Sequence, residues 1–163
     1  MTKEEALARL AESRRALHQA IEGLSEKEMT QVQVEGVWTI PSTLLRTGKD
    51  VLGHIASWEE TCLEPLRHYA DGGPFEVQVI KDYLTWSDEQ AVRKRDIPLE
   101  VILNESATVR QGLVEAASRL SAEQWKQWVP FAWGSEGTIA DTLRGLHVHE
   151  MEHVRHIQQW RGG

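Results

Sequence analysis

The sequence predicts an all-α fold, a four-helix bundle with long inter-helix connections, and three observations carry that prediction. Four long segments repeat apolar side chains at spacings of three, four and seven, the period of an amphipathic helix. No stretch of five or more residues carries a strand signal. The 163 residues suit one domain, taken as residues 1–163, and can bury a full core without disulfides or metal staples.

The first helix spans residues 3–22, with Ala6, Leu7, Leu10, Leu17, Ala20 and Ile21 on its apolar face, and Gly23 ends it. Ser25-Glu26-Lys27-Glu28 has the form of a capping box and restarts a short helical turn. Residues 30–46, with Gly36 and Pro41, read as an irregular connection. Thr47-Gly48-Lys49-Asp50 opens the second helix, whose stripe is Val51, Ile55, Trp58, Cys62, Leu66 and Tyr69. Pro65 lacks an amide proton and crowds the carbonyl four residues back, so a kink or an early end is expected near residue 64. Asp71-Gly72-Gly73-Pro74 is a stop.

Residues 75–97 are weakly patterned, with a helical piece begun by Ser87-Asp88-Glu89. Pro98 suits the first position of the third helix, where a missing amide costs nothing. Leu99, Ile102, Leu103, Val109, Leu113, Ala116, Ala117 and Leu120 give that helix its inner face. Ser121 caps another short piece, residues 134–137 form a loop, and Thr138-Ile139-Ala140-Asp141 opens the last helix, which runs to about Trp160. All three connections exceed the two to eight residues usual in simple bundles, so loop length does not fix the topology.

Composition narrows the function. Twenty-five acidic against 18 basic side chains give a net charge of -7, which argues against nucleic-acid binding through phosphate neutralisation. No apolar run approaches the roughly 18–20 residues that span a bilayer, so no membrane partner is expected. The N-terminus has no secretory apolar segment and Cys62 has no second cysteine to pair with, which together point to the cytoplasm. Seven Trp and seven His are the oddities, and four of the histidines fall within residues 147–156.

On the last helix, the stripe of Ile139, Leu143 and Leu146 continues through residues 149, 150 and 153 to Ile157 and Trp160. His149 and His153, four apart, stack on one face and can share a metal. His147 points roughly 200° away from His149. A stable site for Zn²⁺, Ni²⁺ or Fe²⁺ needs a third ligand, and the best candidate is His54, on the inward side of the second helix. Three imidazoles leave coordination positions open, as a reactive site requires. Glu150 and Glu152 are candidates to orient a ligand through its other ring nitrogen. His156, one turn beyond His153, is a further candidate neighbour. Glu59 is offset by roughly 140° from His54 and is a poor candidate ligand. The competing account is a helix surface on which histidines are simply common.

The run Asp50-Val51-Leu52-Gly53-His54-Ile55-Ala56-Ser57-Trp58, followed by His149-Glu150-Met151-Glu152-His153, resembles the DinB-like superfamily of metalloenzymes. That superfamily includes bacillithiol S-transferases, mycothiol-dependent maleylpyruvate isomerases and colibactin self-protection proteins. The starts of the third and fourth helices also match, so the resemblance covers nearly the whole chain. It implies a DinB-like four-helix bundle in which His54, His149 and His153 bind a divalent metal, nickel or zinc ahead of iron. It also implies a low-molecular-weight thiol as a further cofactor and a homodimer as the assembly. His156 departs from the glutamine that many relatives carry at this position. The resemblance does not fix a substrate.

Two functions follow. In the first, the chain is a metal-dependent enzyme, either a thiol-dependent S-transferase or a hydrolase, acting on a small electrophilic molecule. A divalent ion with three neutral ligands keeps its charge and lowers the pKa of a bound water or thiol. In the alternative, the chain is a non-catalytic, metal-binding, stress-related bundle. Cys62 reads as a buried packing thiol and Trp58 and Trp160 as core. Trp125, Trp128 and Trp133 with Phe131 read as packing, as a lid or dimer contact, ahead of a substrate wall. Arg110, Arg119, Arg144 and Arg155 read as solvated charges, with room for one inward arginine that receives a carboxylate of substrate or cofactor.

Overall fold

The computed structural model describes residues 1–32 and 44–162. Its element order is α1 (Lys3–Ile21), α2 (Glu26–Thr30), α3 (Gly48–Ala70), α4 (Tyr83–Lys94), α5 (Leu99–Ser118), α6 (Ala122–Lys126), β1 (Trp128–Pro130), β2 (Glu136–Thr138) and α7 (Ile139–Gly162). Most of the irregular connection expected over residues 30–46 lies outside the described residues.

The start signals work as their chemistry requires. Thr2, Ser25, Thr47 and Ser121 each accept a hydrogen bond from the backbone N–H three residues on, while the side chain at that third position accepts from the cap's own N–H. Thr138 and Asp141 exchange the same pair of bonds at the start of α7. Each reciprocal pair satisfies donors that a helix start leaves unpaired, a contribution of about 1 kcal/mol. Gly23, just past α1, has φ +77, which a side chain would strain.

The four long helices close a ring of contacts: α1 on α7, α7 on α3, α3 on α5 and α5 on α1. The three long connections hold α2, α4, and α6 with the β1–β2 hairpin, whose register pairs Val129 with Gly137. One apolar cluster gathers around Leu10, Cys62, Leu113 and Leu143, and a second around Leu17, Ile55, Ile102 and Ile157. Each such fully buried aliphatic side chain stabilises the fold by about 1.5–3 kcal/mol.

Several expectations are corrected. The second helix does not end at residue 64 but runs through Pro65 to Ala70. Leu66 and Tyr69 are buried beyond the proline, and the Tyr69 hydroxyl donates to Gln127 at 2.8 Å, so packing offsets the lost amide bond. The α4 helix starts at Tyr83, not Ser87, because Asp82 caps it by accepting from the Thr85 N–H and hydroxyl. Pro98 is the N-cap and not the first helical residue. Leu103 is 38% exposed, since the inner stripe of α5 passes through Ser106 and Arg110 instead.

A polar layer separates the two apolar clusters. Each of the four long helices sends one charged side chain into it: Arg14, Glu59, Arg110 and Glu150, all at most 9% exposed. Arg14 Nε donates to Glu150 at 2.7 Å, and its Nη2 donates to both Glu59 oxygens at 3.1 and 3.3 Å. Arg110 donates to Glu59, to Glu150 at 2.7 Å and to the Leu10 carbonyl at 2.7 Å. Ser13 donates to Glu150 at 2.5 Å, while Arg14 also reaches Ser106. Two guanidinium groups and two carboxylates balance in charge, and their donors and acceptors are satisfied, as burial demands. Burial outweighs both arginines at Glu59 and raises its pKa. At Glu150 burial pushes the same way, but Arg110, Arg14 and Ser13 prevail and hold the carboxyl below its ordinary value. Arg110 is therefore the inward arginine; the carboxylates it meets belong to the protein.

Candidate metal centre

Helix α3 places His54 between the buried Gly53 and Ile55, and the 3.6-residue period of α7 sets His149 and His153 on the face turned toward it. His54 Nε2 lies 3.0 Å from His149 Nε2, which lies 3.1 Å from His153 Nε2. Each of the three residues offers a ligand nitrogen within 4.8 Å of the others. A neutral imidazole nitrogen carries either a hydrogen or a lone pair, so His149 Nε2 can make a proper hydrogen bond to only one of its two neighbours. A cation accepting three lone pairs resolves that conflict. Zn–N bonds of about 2.0–2.1 Å at tetrahedral angles space nitrogens roughly 3.3–3.4 Å apart, close to the 3.0 and 3.1 Å that His149 makes with its two neighbours. The donor set therefore fits a divalent ion.

Electrostatics agrees with that use. Burial, helped by His149 and Lys94, lowers His54 from 6.5 to about 3. Burial lowers His149 to about 4, against a raising influence of Glu150. His153 is lowered too, by burial first and then by the other histidines. All three are held neutral, the form that ligates. His54 Nδ1 is buried without a hydrogen-bond partner among the described residues.

The other sequence candidates fall around this cluster. His156 Nδ1 sits 3.4 Å from His153 Nδ1. The Glu150 carboxylate bonds Ser13, Arg14 and Arg110 and no histidine ring. Glu152 is exposed at the rim. His147 turns away, its Nδ1 2.8 Å from the Arg9 carbonyl. Glu59 is in the polar layer, not the cluster. Burial pushes the Cys62 thiol up to about 11, which suits packing.

The histidines form the floor of a cavity of about 490 Å³, walled by Trp58, Trp133, Leu45, Tyr83, Leu84 and Leu146. The Trp58 ring centre stands 4.5 Å from that of Trp86 and 6.4 Å from those of Trp133 and His149. The tryptophan group expected to pack together divides: Trp125 and Phe131 are buried, Trp133 faces the cavity and Trp128 is 69% exposed. Trp160 is only partly buried. Sequence reasoning missed Arg14, placed Arg110 among the solvated charges and gave Glu150 to a histidine ring, whereas Glu59 lies outside the cluster, as its offset from His54 predicts.

Comparison with known proteins bears on the same features. A family model described as the DinB superfamily matches residues 9–157. The fold is similar to that of a mycothiol-dependent maleylpyruvate isomerase, at 14% identity and TM-score 0.73, covering 96% of this chain and 61% of that one. It is also similar to the colibactin self-resistance protein ClbS, solved in complex with double-stranded DNA, at 16% identity and TM-score 0.76, covering 99% and 96%. An uncharacterised protein from Clostridium difficile 630 matches at 11% identity and TM-score 0.78, covering 99% and 96%. This chain thus spans about three-fifths of the isomerase's length. No curated protein matches.

Proposed function

The chain belongs to the DinB superfamily, and we propose that within it this protein is a divalent-metal-dependent enzyme acting on a small electrophilic molecule. The observation that carries the reading is the convergence of three imidazole nitrogens at the floor of a cavity large enough for a small substrate. His54, His149 and His153 hold the ion, nickel or zinc ahead of iron. An ion so held supplies Lewis-acid activation of a thiol or water, making a nucleophile available at neutral pH.

The chain's own residues do the rest. Helices α3 and α7, tied together through the Arg14, Glu59, Arg110 and Glu150 layer, keep the three rings in register. Trp58 and Trp133 exclude water and offer flat surfaces to a substrate. Thiol-dependent transfer is the leading version, with a low-molecular-weight thiol as co-substrate; hydrolysis is the second. The double-stranded DNA in the ClbS structure is a property of ClbS. The -7 charge of this chain supports a small molecule in the cavity over a nucleic acid on the surface.

Metal-loaded and chelator-stripped protein should be compared with monochlorobimane plus small thiols, and with para-nitrophenyl acetate alone. Thiol-dependent turnover by the loaded form only supports the transferase; ester cleavage without thiol supports the hydrolase. Metal-raised melting temperature with no turnover on any electrophile favours the non-catalytic, metal-binding alternative.

A further inference from the structure

We infer that this cavity accepts an uncharged, aromatic or apolar molecule bearing no carboxylate or phosphate, and that Glu152 is the residue that rejects anions. The inference rests on the reading of the cavity as the reaction site and adds its substrate class. Beyond the three floor imidazoles and His156, Glu152 contributes the only formally charged side chain among the described residues that line it. No lysine or arginine is among them, so an anionic substituent held anywhere but on the floor ion would be desolvated without a side-chain partner.

Among the described residues, the three buried cations are already paired. Arg14 and Arg110 are neutralised by Glu59 and Glu150. Lys94, the cation that acts electrostatically on His54, donates to Glu60 at 3.1 Å and to Glu105 at 2.7 Å. An adjoining cavity of about 490 Å³ shares Trp133, His149 and Glu152 with the first. It contains one cation, Arg144, against three carboxylates, Glu136, Asp141 and Glu152. Glu152 thus stands at the junction of two cavities, neither of which offers an excess of positive side chains. The walls, by contrast, present indole, phenol and leucine surface, which suits a ring of matching size.

The test uses metal-free protein, so that coordination by a carboxylate adds nothing. Phenylpropanol and phenylpropionate differ in one terminal group and are titrated at neutral pH while tryptophan emission, to which Trp58 and Trp133 contribute from the cavity wall, is followed. The alcohol should bind at least about tenfold tighter than the carboxylate. E152K should narrow that ratio to near one, and E152Q should fall between. Equal binding of the two by the parent protein, or binding of neither at millimolar concentration, overturns the substrate class. A ratio unchanged in both variants overturns the role of Glu152. Zinc stoichiometry measured on the same preparations separates the two claims: a protein that binds zinc but shows no preference loses only the substrate class. One that shows the preference but binds no metal loses only the metal reading.

Discussion

Arg110 Nη2 lies 2.7 Å from a Glu150 carboxylate oxygen at the centre of the bundle, linking α5 to α7 beside His149. The same nitrogen also reaches Glu59, so one guanidinium joins the helix that carries His54 to the helix that carries His149 and His153. A buried ion network of this kind is weak evidence for extra stability, because desolvation offsets much of the attraction. Its use here is register: turning or sliding any of the four helices would leave a charge unpaired.

Arg110→Ala should therefore destabilise by about 3–5 kcal/mol, since it leaves two buried carboxylates facing only Arg14. Urea unfolding followed by circular dichroism measures it. A loss under about 1 kcal/mol would show that the layer is solvated and sets no register.

Acid should weaken the metal-free protein. An unfolded histidine titrates near 6.5, whereas the folded chain holds His54 at about 3 and His149 at about 4. Below pH 6.5 the unfolded state binds the extra protons, so stability present at pH 7 drains as the pH falls toward 4. The loss should be about 1–2 kcal/mol for each of these two rings by pH 5. Melting temperatures across pH 5–7 test this, and His149→Ala should flatten the slope.

Gly145 lies one turn before His149, and a Cβ there would stand 2.7 Å from the Trp133 indole. Gly145→Ala normally helps a helix by about 1 kcal/mol. Here it should instead displace Trp133, shift its emission and weaken phenylpropanol binding. Unchanged emission with higher stability would show that the ring is not seated on α7.

Cys62 is buried with its thiol pushed up to about 11. A thiol reagent should leave it intact in native protein at pH 8 and modify it fully in denaturant. Rapid native reaction would contradict its place in the core.

Much of this molecule was legible in the chain. The stripe from Val51 to Tyr69 and the Ser/Thr-to-acid caps are local patterns, and the helices formed where the patterns lie. His149 and His153 could be paired from their four-residue spacing, and His54 joined to them because it lies on the inward side of its helix. The polar layer was not legible, because single-helix periodicity assigns a charged residue to solvent and only the meeting of four helices reveals its partners. Glu150 shows this best: next to His149 in sequence, it spends its oxygens on α1 and α5. The start of α4 was missed because Asp82 caps a run containing Tyr83, Leu84 and Trp86, where aromatic content masks the helical period.

The central claim is that three imidazoles from two helices grip one ion, and metal analysis of tag-free protein tests it most directly. After equilibration with zinc or nickel and removal of excess, the parent protein should hold about one ion per chain, and the His54→Ala, His149→Ala, His153→Ala triple variant close to none. Equal, near-zero content in both folded proteins would contradict the account.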